Sequence, residues 1–534
     1  MIKENKYTPE HISSLNRNEI FVFGSNLAGL HQGGAARVAV QKFGAVMGQG
    51  VGLQGQSYAI PTMQGGVETI RPYVDDFIKF ASQHTDLTFY VTRIGCGIAG
   101  FKDEEIAPLF KDAIELDNVI LPESFFKIIT CKFSSRNRIR DKVRGSLMAG
   151  AAGDALGYAV EFMSLNKIRK KYGINGIRTF ECDSNGKALI SDDTQMTLFT
   201  VNGMLMGLTR GCMRGIGGRP EKYVDVAYLD WYYTQTHRKQ KNEDEDYPYT
   251  WLRDLPQMHH GRAPGITCMN ACESLLERKP VKNDSKGCGG LMRVAPMGLL
   301  AAAYEEVQNS KFPYDEEELM IAGAEIAEVT HKHPLGFLPA ALLTYLLYKI
   351  IPLTPREIEN QIYKIIEDGL ELLNKIYKGE YEQEKSYLTR LTHEAIKLAK
   401  EDITDESAIR KLGEGWVAEE AWAIALYCSL KHFDNVAEAI VAAVNHDGDS
   451  DSTGSICGNI MGAIYGYEKI RKERLFCPNE KTFESTLELH NIILALADDL
   501  FSGCIISQYD CQDTPEKRQW FERYCEMKPA GIEE

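Results

Sequence analysis

The chain of 534 residues lacks any apolar run long enough to cross a bilayer comfortably. Its longest, FLPAALLTYLLYKII (337–351), reads instead as a buried helix. The amino terminus, MIKENKYTPE, has no apolar stretch of the signal-peptide kind, so no membrane association is expected. Positive charge is also in deficit. Sixty Lys and Arg face 75 Asp and Glu, a formal net charge of −15, which argues against a broad, nonspecific grip on nucleic acid. None of the 13 cysteines forms a Cys-x-x-Cys pair, and Cys268 and Cys272 have the four-residue spacing of helix packing. An odd count without a disulfide framework suits a reducing, cytoplasmic setting. There is no sequence repeat, and no G-x-G-x-x-G joins a strand to a helix. A composition of 44% hydrophobic and 25% charged residues excludes wholesale disorder. The length exceeds one ordinary core, so two or three domains are expected.

Two textures divide the chain. Over residues 1–135, short apolar runs alternate with glycine-rich turns. IFVFGSN (20–26) reads as a strand entering a loop, GGAARVAVQKFG (33–44) as a small-residue helix, TFYVTRIGCGIAG (88–100) as a strand followed by glycines, and FFKIITCKF (125–133) as a last strand. Strands alternating with helices indicate an α/β layer structure. Beyond about 138, helical periodicity dominates, as in ELMIAGAEIAEVT (318–330) and NVAEAIVAAV (435–444). The charged stretch 134–142 is the expected seam, 236–248 a solvated loop, and 506–534 a tail packed on or extending the 138–505 domain.

Gly145, Ala149, Gly153 and Gly157 recur every four residues, as do Gly454, Gly458, Gly462 and Gly466. Positions four apart share a helix face, so each helix carries a strip without side-chain bulk. Glycine inside a helix costs about 1 kcal/mol relative to alanine, which close helix packing would offset. Acidic clusters adjoin both strips. Asp154 and Glu161 flank the end of the first, Asp192 and Asp193 stand in SDDT (191–194), and Asp447, Asp449 and Asp451 precede the second. Serine and aspartate make good N-caps, but adjacent and alternating aspartates exceed what one cap uses. Oxygen-only ligands with hydroxyls suit a hard cation such as Mg²⁺. A calcium EF-hand does not fit, because Gly458 stands where the twelfth-position glutamate would be.

GSLMAGAAGDALGYAVEF (145–162), SDDTQMT (191–197), GCGGLMRVAPMG (287–298), HKHP (331–334) and GDSDSTGSICGNIMGA (448–463) occur in the order found in the ADP-ribosylglycohydrolase family, which this chain resembles over about 140–505. That family includes the enzyme that reactivates ADP-ribosylated dinitrogenase reductase. The resemblance implies an all-helical fold with a binuclear Mg²⁺ site, Mn²⁺ being an alternative ion. It implies Ser191, Asp192 and Asp193 as ligands from one side, and Asp449, Asp451 and Ser452 from the other. Relatives commonly carry threonine at Ser191 and Ser452, and asparagine at Cys288. Two cations would hold the vicinal ribose hydroxyls beside the bond being broken. Carboxylates would stabilise oxocarbenium character and activate water, with Glu161, Asp192 and Asp193 as candidates. Gly287, Gly289, Gly290, Met292 and Arg293 belong to a loop expected to face the diphosphate. HHGRAPG (259–265) resembles a substrate loop, and His331 and His333 read as mainly structural.

FGSNLAGLHQGGAA (23–36) and IGCGIAGF (94–101) make residues 20–110 similar to a macrodomain, a module also found as free-standing phage or bacterial proteins. The resemblance implies a three-layer α/β module holding ADP-ribose against Gly24, Asn26, Gly33, Gly34, Gly95, Gly97 and Gly100. Glycine permits backbone approach to phosphates there. This chain has Phe-Gly-Ser-Asn where a macrodomain usually has an Asn-Ala-Ala-Asn-like string. The expected function is a Mg²⁺-dependent hydrolase releasing ADP-ribose from a modified protein or nucleic acid, with the first module as reader or second hydrolase. Alternatives are a non-catalytic ADP-ribose-sequestering protein and a hydrolase of a small nucleotide metabolite.

Overall fold

Alternation along the strand β1 (Glu19–Ser25) shapes the first unit. Ile20 and Val22 enter one core with Tyr58, Ile60, Val74, Phe77, Phe89 and Phe110. Phe21 and Phe23 enter another, with Ala36, Ala39, Phe43 and Ala59. A strand buried on both faces needs cover on both. Helix α1 (Gly34–Lys42) supplies Ala36 and Ala39 on one side, and α2 (Arg71–Gln83) supplies Val74 and Phe77 on the other. The remaining strands are β2 (Gly52–Gln54), β3 (Ser57–Pro61), β4 (Thr88–Val91) and β5 (Val119–Ile120). Their order is β2-β3-β1-β4-β5, parallel except for the β2–β3 pair. This is a small mixed sheet, and a short helix α3 (Asp103–Ile106) follows β4.

The computed structural model describes residues 7–215, 219–238, 247–308, 310–473, 482–509 and 514–532. The chain divides into two compact units, Met1–Arg136 and Asn137–Glu534. FFKIITCKF is not a strand. It lies in the 36-residue helix α4 (Glu123–Tyr158), which also contains the charged stretch 134–142. Phe125 and Ile129, four apart, are the buried positions among residues 125–130, a helical spacing, and no glycine or proline interrupts 124–144.

The second unit is almost wholly helical, from the end of α4 through α5 (Leu165–Tyr172) onward. Glu316–Glu328 begins at a capping box on Asp315, and Val436–Val444 at an Asn435 cap. Pro334–Ile350 is buried over most of its length. No helix among the described residues is long and apolar enough to cross a membrane. Residues 239–246 of the expected loop lie outside the described residues. In the tail, Pro515–Tyr524 buries Trp520 and Tyr524 in the unit's core, and Arg523 pairs with Asp499 at 2.7 Å.

Candidate active site

The two glycine strips meet. A Cβ on Gly462 would stand 2.0 Å from the Gly145 carbonyl oxygen, and one on Gly458 2.0 Å from that of Ala149. A Cβ on Gly153 would stand 2.0 Å from the Gly454 oxygen, and one on Gly157 2.2 Å from that of Ser450. Each step of four along α4 is answered by a step of four the other way along the helix Ser450–Tyr465. The two are antiparallel, in backbone-to-backbone contact. Close packing is therefore the reason for the strips, and it has a consequence. The C-terminal end of α4, bearing Asp154, is held against the N-terminal end of the second helix, bearing Asp449 and Asp451.

Asp154, fully buried, joins a third element. It accepts hydrogen bonds from the Ser191 N–H (3.0 and 3.1 Å), the Thr194 N–H (3.1 Å) and the Thr194 hydroxyl. This fixes the start of α6 (Asp192–Arg214), where Ser191 is the N-cap and accepts from the Asp193 N–H at 3.1 Å. Asp192 receives the Gly265 N–H at 3.3 Å and donates its own N–H to the Arg262 carbonyl at 3.0 Å, so the 259–265 loop lies against the cluster. On the other side, Asp449 caps the helix Ser450–Tyr465, and the Ser452 N–H donates to Asp449 (3.3 Å) and Asp451 (3.0 Å). Asp447 stands apart: it accepts from the Leu165 N–H at 2.8 Å and lies 3.5 Å from Arg410.

These acids are crowded and dry. Burial, then Asp451 and the neighbouring acids, push Asp192 and Asp193 well above the usual carboxylate range; burial and Asp451 do the same to Asp449. Burial and the charges of Asp451, Asp449, Asp192 and Asp154 push Glu161 up to about 10. Two of the oxygens, Glu161 Oε2 and Asp193 Oδ2, are buried without a hydrogen-bond partner. Orphaned buried carboxylate oxygens are costly, and a cation placed among them would relieve both the repulsion and the missing bonds. Among the described residues, no group of three or more His, Cys, Asp or Glu side chains is already set to hold a metal ion. The donor chemistry, oxygen-rich with serine hydroxyls beside it, fits a hard cation.

The 287–293 loop divides in its roles. A Cβ at Gly287 or Gly289 would meet the His331 ring at 3.2 Å, and Gly290 packs on Gly336 and Ala327. Cys288 reaches the acid cluster, its Sγ 2.7 Å from Asp449 Oδ2, and Met292 Sδ lies 3.9 Å from Ser452 Oγ. Arg293 corrects the expectation of a substrate contact. Its guanidinium has no exposed surface, sits 4.4 Å from the centre of the Tyr228 ring and donates to Thr330 at 2.5 Å. Its Nε is left without a hydrogen-bond partner, but a fully buried guanidinium is out of reach of a diphosphate. His331, pushed down to about 3 by burial and by Arg293, is neutral and bonded to Thr330, while His333 caps Pro334–Ile350 through the Leu335 N–H.

In the first unit, Gly24, Asn26, Gly33, Gly34, Gly95 and Gly97 line one cleft of about 140 Å³. Gly100 does not; it closes a turn onto Gly97. Gly33 caps α1 without a side-chain bond, leaving the helix's first N–H groups beside the cleft. The Asn26 side chain is engaged with Leu30, accepting at 3.0 Å and donating at 3.3 Å, and so shapes the loop. Asp154 and Cys288 are the residues whose roles the sequence leaves unassigned; only their contacts across the fold define them.

Residues 135–507 match the family model described as ADP-ribosylglycohydrolase. ADP-ribosylhydrolase ARH3 of Bos taurus is 26% identical over 218 residues, covering 37% of this chain and 56% of that protein. The chain thus spans little more than half the length of these curated relatives. The ADP-ribosyl-dinitrogen reductase glycohydrolase of Rhodospirillum rubrum is 23% identical over 338 residues, covering 62% of this chain and 88% of that protein. A solved ADP-ribosylglycohydrolase-related protein complex aligns with 69% of this chain at 20% identity and a TM-score of 0.45.

Proposed function

Because the chain belongs to the ADP-ribosylglycohydrolase family, we propose that it hydrolyses the glycosidic bond between ADP-ribose and a modified protein or nucleic acid. The observation that carries this reading is the buried acid cluster with its two unpartnered carboxylate oxygens, Glu161 Oε2 and Asp193 Oδ2. Ser191, Asp192 and Asp193 on one side, and Asp449, Asp451 and Ser452 on the other, would hold Mg²⁺ or Mn²⁺. The ions would supply positive charge to fix the ribose hydroxyls. The chain's own contribution is preorganisation. Asp154 and the glycine strips lock the three acidic segments to one another, and the 287–293 turn walls the site. Positive charge developing at the anomeric carbon would face the surrounding carboxylates, and Glu161, which burial and the neighbouring acids hold up at about 10 and which bound cations would bring down, would then take a proton from the attacking water. We further propose that the first unit is a macrodomain-like module whose cleft takes ADP-ribose, as reader or second hydrolase, and that the protein works in a reducing, cytoplasmic setting.

The test is release of ADP-ribose from a panel of modified proteins and nucleic acids, with Mg²⁺, with Mn²⁺ and with chelator. Release is expected only with metal, and Asp192→Ala and Asp451→Ala should each lower it on the order of a hundredfold or more. Full activity in either variant would refute the ligand assignment. Tight ADP-ribose binding without release would establish a sequestering protein instead.

A further inference from the structure

The turn that presents Asp449 and Asp451 closes on a buried histidine. His446, in NHDGDSDSTGS (445–455), is 4% exposed. Its Nδ1 lies 3.1 Å from the Gly448 N–H, and its Nε2 lies 2.9 Å from both the Ala443 carbonyl oxygen and the Thr453 hydroxyl. A backbone N–H only donates and a carbonyl only accepts, so these contacts fix the state of the ring. Nδ1 carries the lone pair, Nε2 carries the proton, and the imidazole is neutral.

The network continues to the Asp449 backbone. Thr453 Oγ1, which accepts from Nε2, stands 2.6 Å from the Asp449 carbonyl oxygen and 2.7 Å from that of Ala443, and its one proton serves either. From the other side, the Asp449 N–H donates to the Glu414 carbonyl at 2.8 Å, and a Cβ on Gly448 would stand 1.7 Å from that same oxygen. The flanking side chains are spent on holding the turn as well. Asp447 takes the Leu165 N–H at 2.8 Å, and Asn445 both accepts from and donates to the Ile177 backbone at 2.8 Å. The Gly448 N–H and both polar groups of the Asp449 backbone are thus engaged without the carboxylate of Asp449 or Asp451. Lysine or arginine could also tie such a turn, but its charge would compete with a cation for the nearby carboxylates. A neutral ring braces the turn and leaves their charge intact.

We propose that His446 is a positioning residue of the cation site: acting through Gly448 and Thr453, it sets Asp449 and Asp451 for the ion and touches neither ion nor substrate itself. The proposal rests on reading the acid cluster as a cation site, and adds which residue outside the ligand set governs its affinity. Loss of a group that orients a metal ligand typically weakens metal binding by about 10–100-fold.

Three variants of the full chain test this. His446→Leu keeps the bulk and loses both sets of bonds, His446→Asn retains an amide oxygen that can accept from the Gly448 N–H, and Thr453→Val loses only the hydroxyl. Mn²⁺ binding is followed by electron paramagnetic resonance at a temperature where circular dichroism finds each variant folded, and thermal unfolding is recorded separately. The Kd for Mn²⁺ should rise about tenfold or more in His446→Leu and in Thr453→Val, with part of the loss recovered in His446→Asn. The Mn²⁺ concentration that half-saturates ADP-ribose release should shift in the same order, while release recovers at saturating Mn²⁺. A histidine that only filled the core would lower the unfolding temperature and leave the Mn²⁺ affinity of the folded protein unchanged. That result in His446→Leu, or in Thr453→Val should His446→Leu not fold, overturns the proposal alone. Absence of Mn²⁺ binding by the unaltered chain would instead refute the cation reading, and the proposal with it.

Discussion

Asp154 is the most deeply buried acid of the cluster, and its carboxylate accepts from residues 191 and 194. That makes it a positioning residue, acting through the start of α6 and not on a substrate. Asp154→Ala would leave two backbone N–H groups and a hydroxyl unpaired in a dry interior. The expected loss is about 2 kcal/mol or more of stability. Asp154→Asn keeps an acceptor and should recover part of it. Thermal unfolding of the three proteins checks this. If the role is positioning, ADP-ribose release should follow the same order, with a larger fall in the rate of turnover than in substrate affinity.

At the scale of elements, the contact between α4 and the helix Ser450–Tyr465 sets the sign of a substitution. Helix propensity alone predicts that Gly458→Ala stabilises by about 1 kcal/mol. The packing predicts the opposite, because the new Cβ would stand 2.0 Å from the Ala149 carbonyl oxygen. Overpacking typically costs about 1–3 kcal/mol, so the net effect should be destabilising. Chemical denaturation gives the sign directly. The same separation of helices would pull Asp449 and Asp451 away from Asp154, so release of ADP-ribose should fall even at temperatures where Gly458→Ala stays folded.

At the scale of the whole molecule, two sites in two units are expected to be separable. Gly97 lines the cleft of the first unit, and a Cβ there meets nothing within 4 Å. Gly97→Trp should fill the cleft without straining the backbone. In calorimetric titration with ADP-ribose, this variant should lose one class of site while metal-dependent release continues. Asp451→Ala should do the reverse, losing release and keeping binding at the first cleft. Loss of release in Gly97→Trp would show that the two units act together.

Much was legible in the chain because its signals are local. Four-residue glycine spacing, SDDT before an apolar periodicity and aspartates before the second strip each depend on residues within a few turns, and each lies where a helix begins or packs. The five ordered motifs, spanning 145–463, likewise lie inside the region that matches the family model. What the sequence misassigned was decided at longer range. FFKIITCKF has the apolar content of a strand, and became helix because its buried pair is spaced by four and nothing interrupts the run up to Gly145. Arg293 carries a charge suited to phosphate, yet Tyr228 and Thr330 converge on it from other segments and bury it. By sequence alone Asp154 and Asp447 belong equally to the acidic clusters, and Cys288 is a loop residue without an assigned role. Only the tertiary structure separates them: one braces α6, one faces Asp449 and one turns to Leu165 and Arg410. Residue type and spacing determine which chemistry the chain can do. Which side chains meet, and which are buried out of reach, depends on contacts between residues from about forty to nearly three hundred positions apart, which no local pattern encodes.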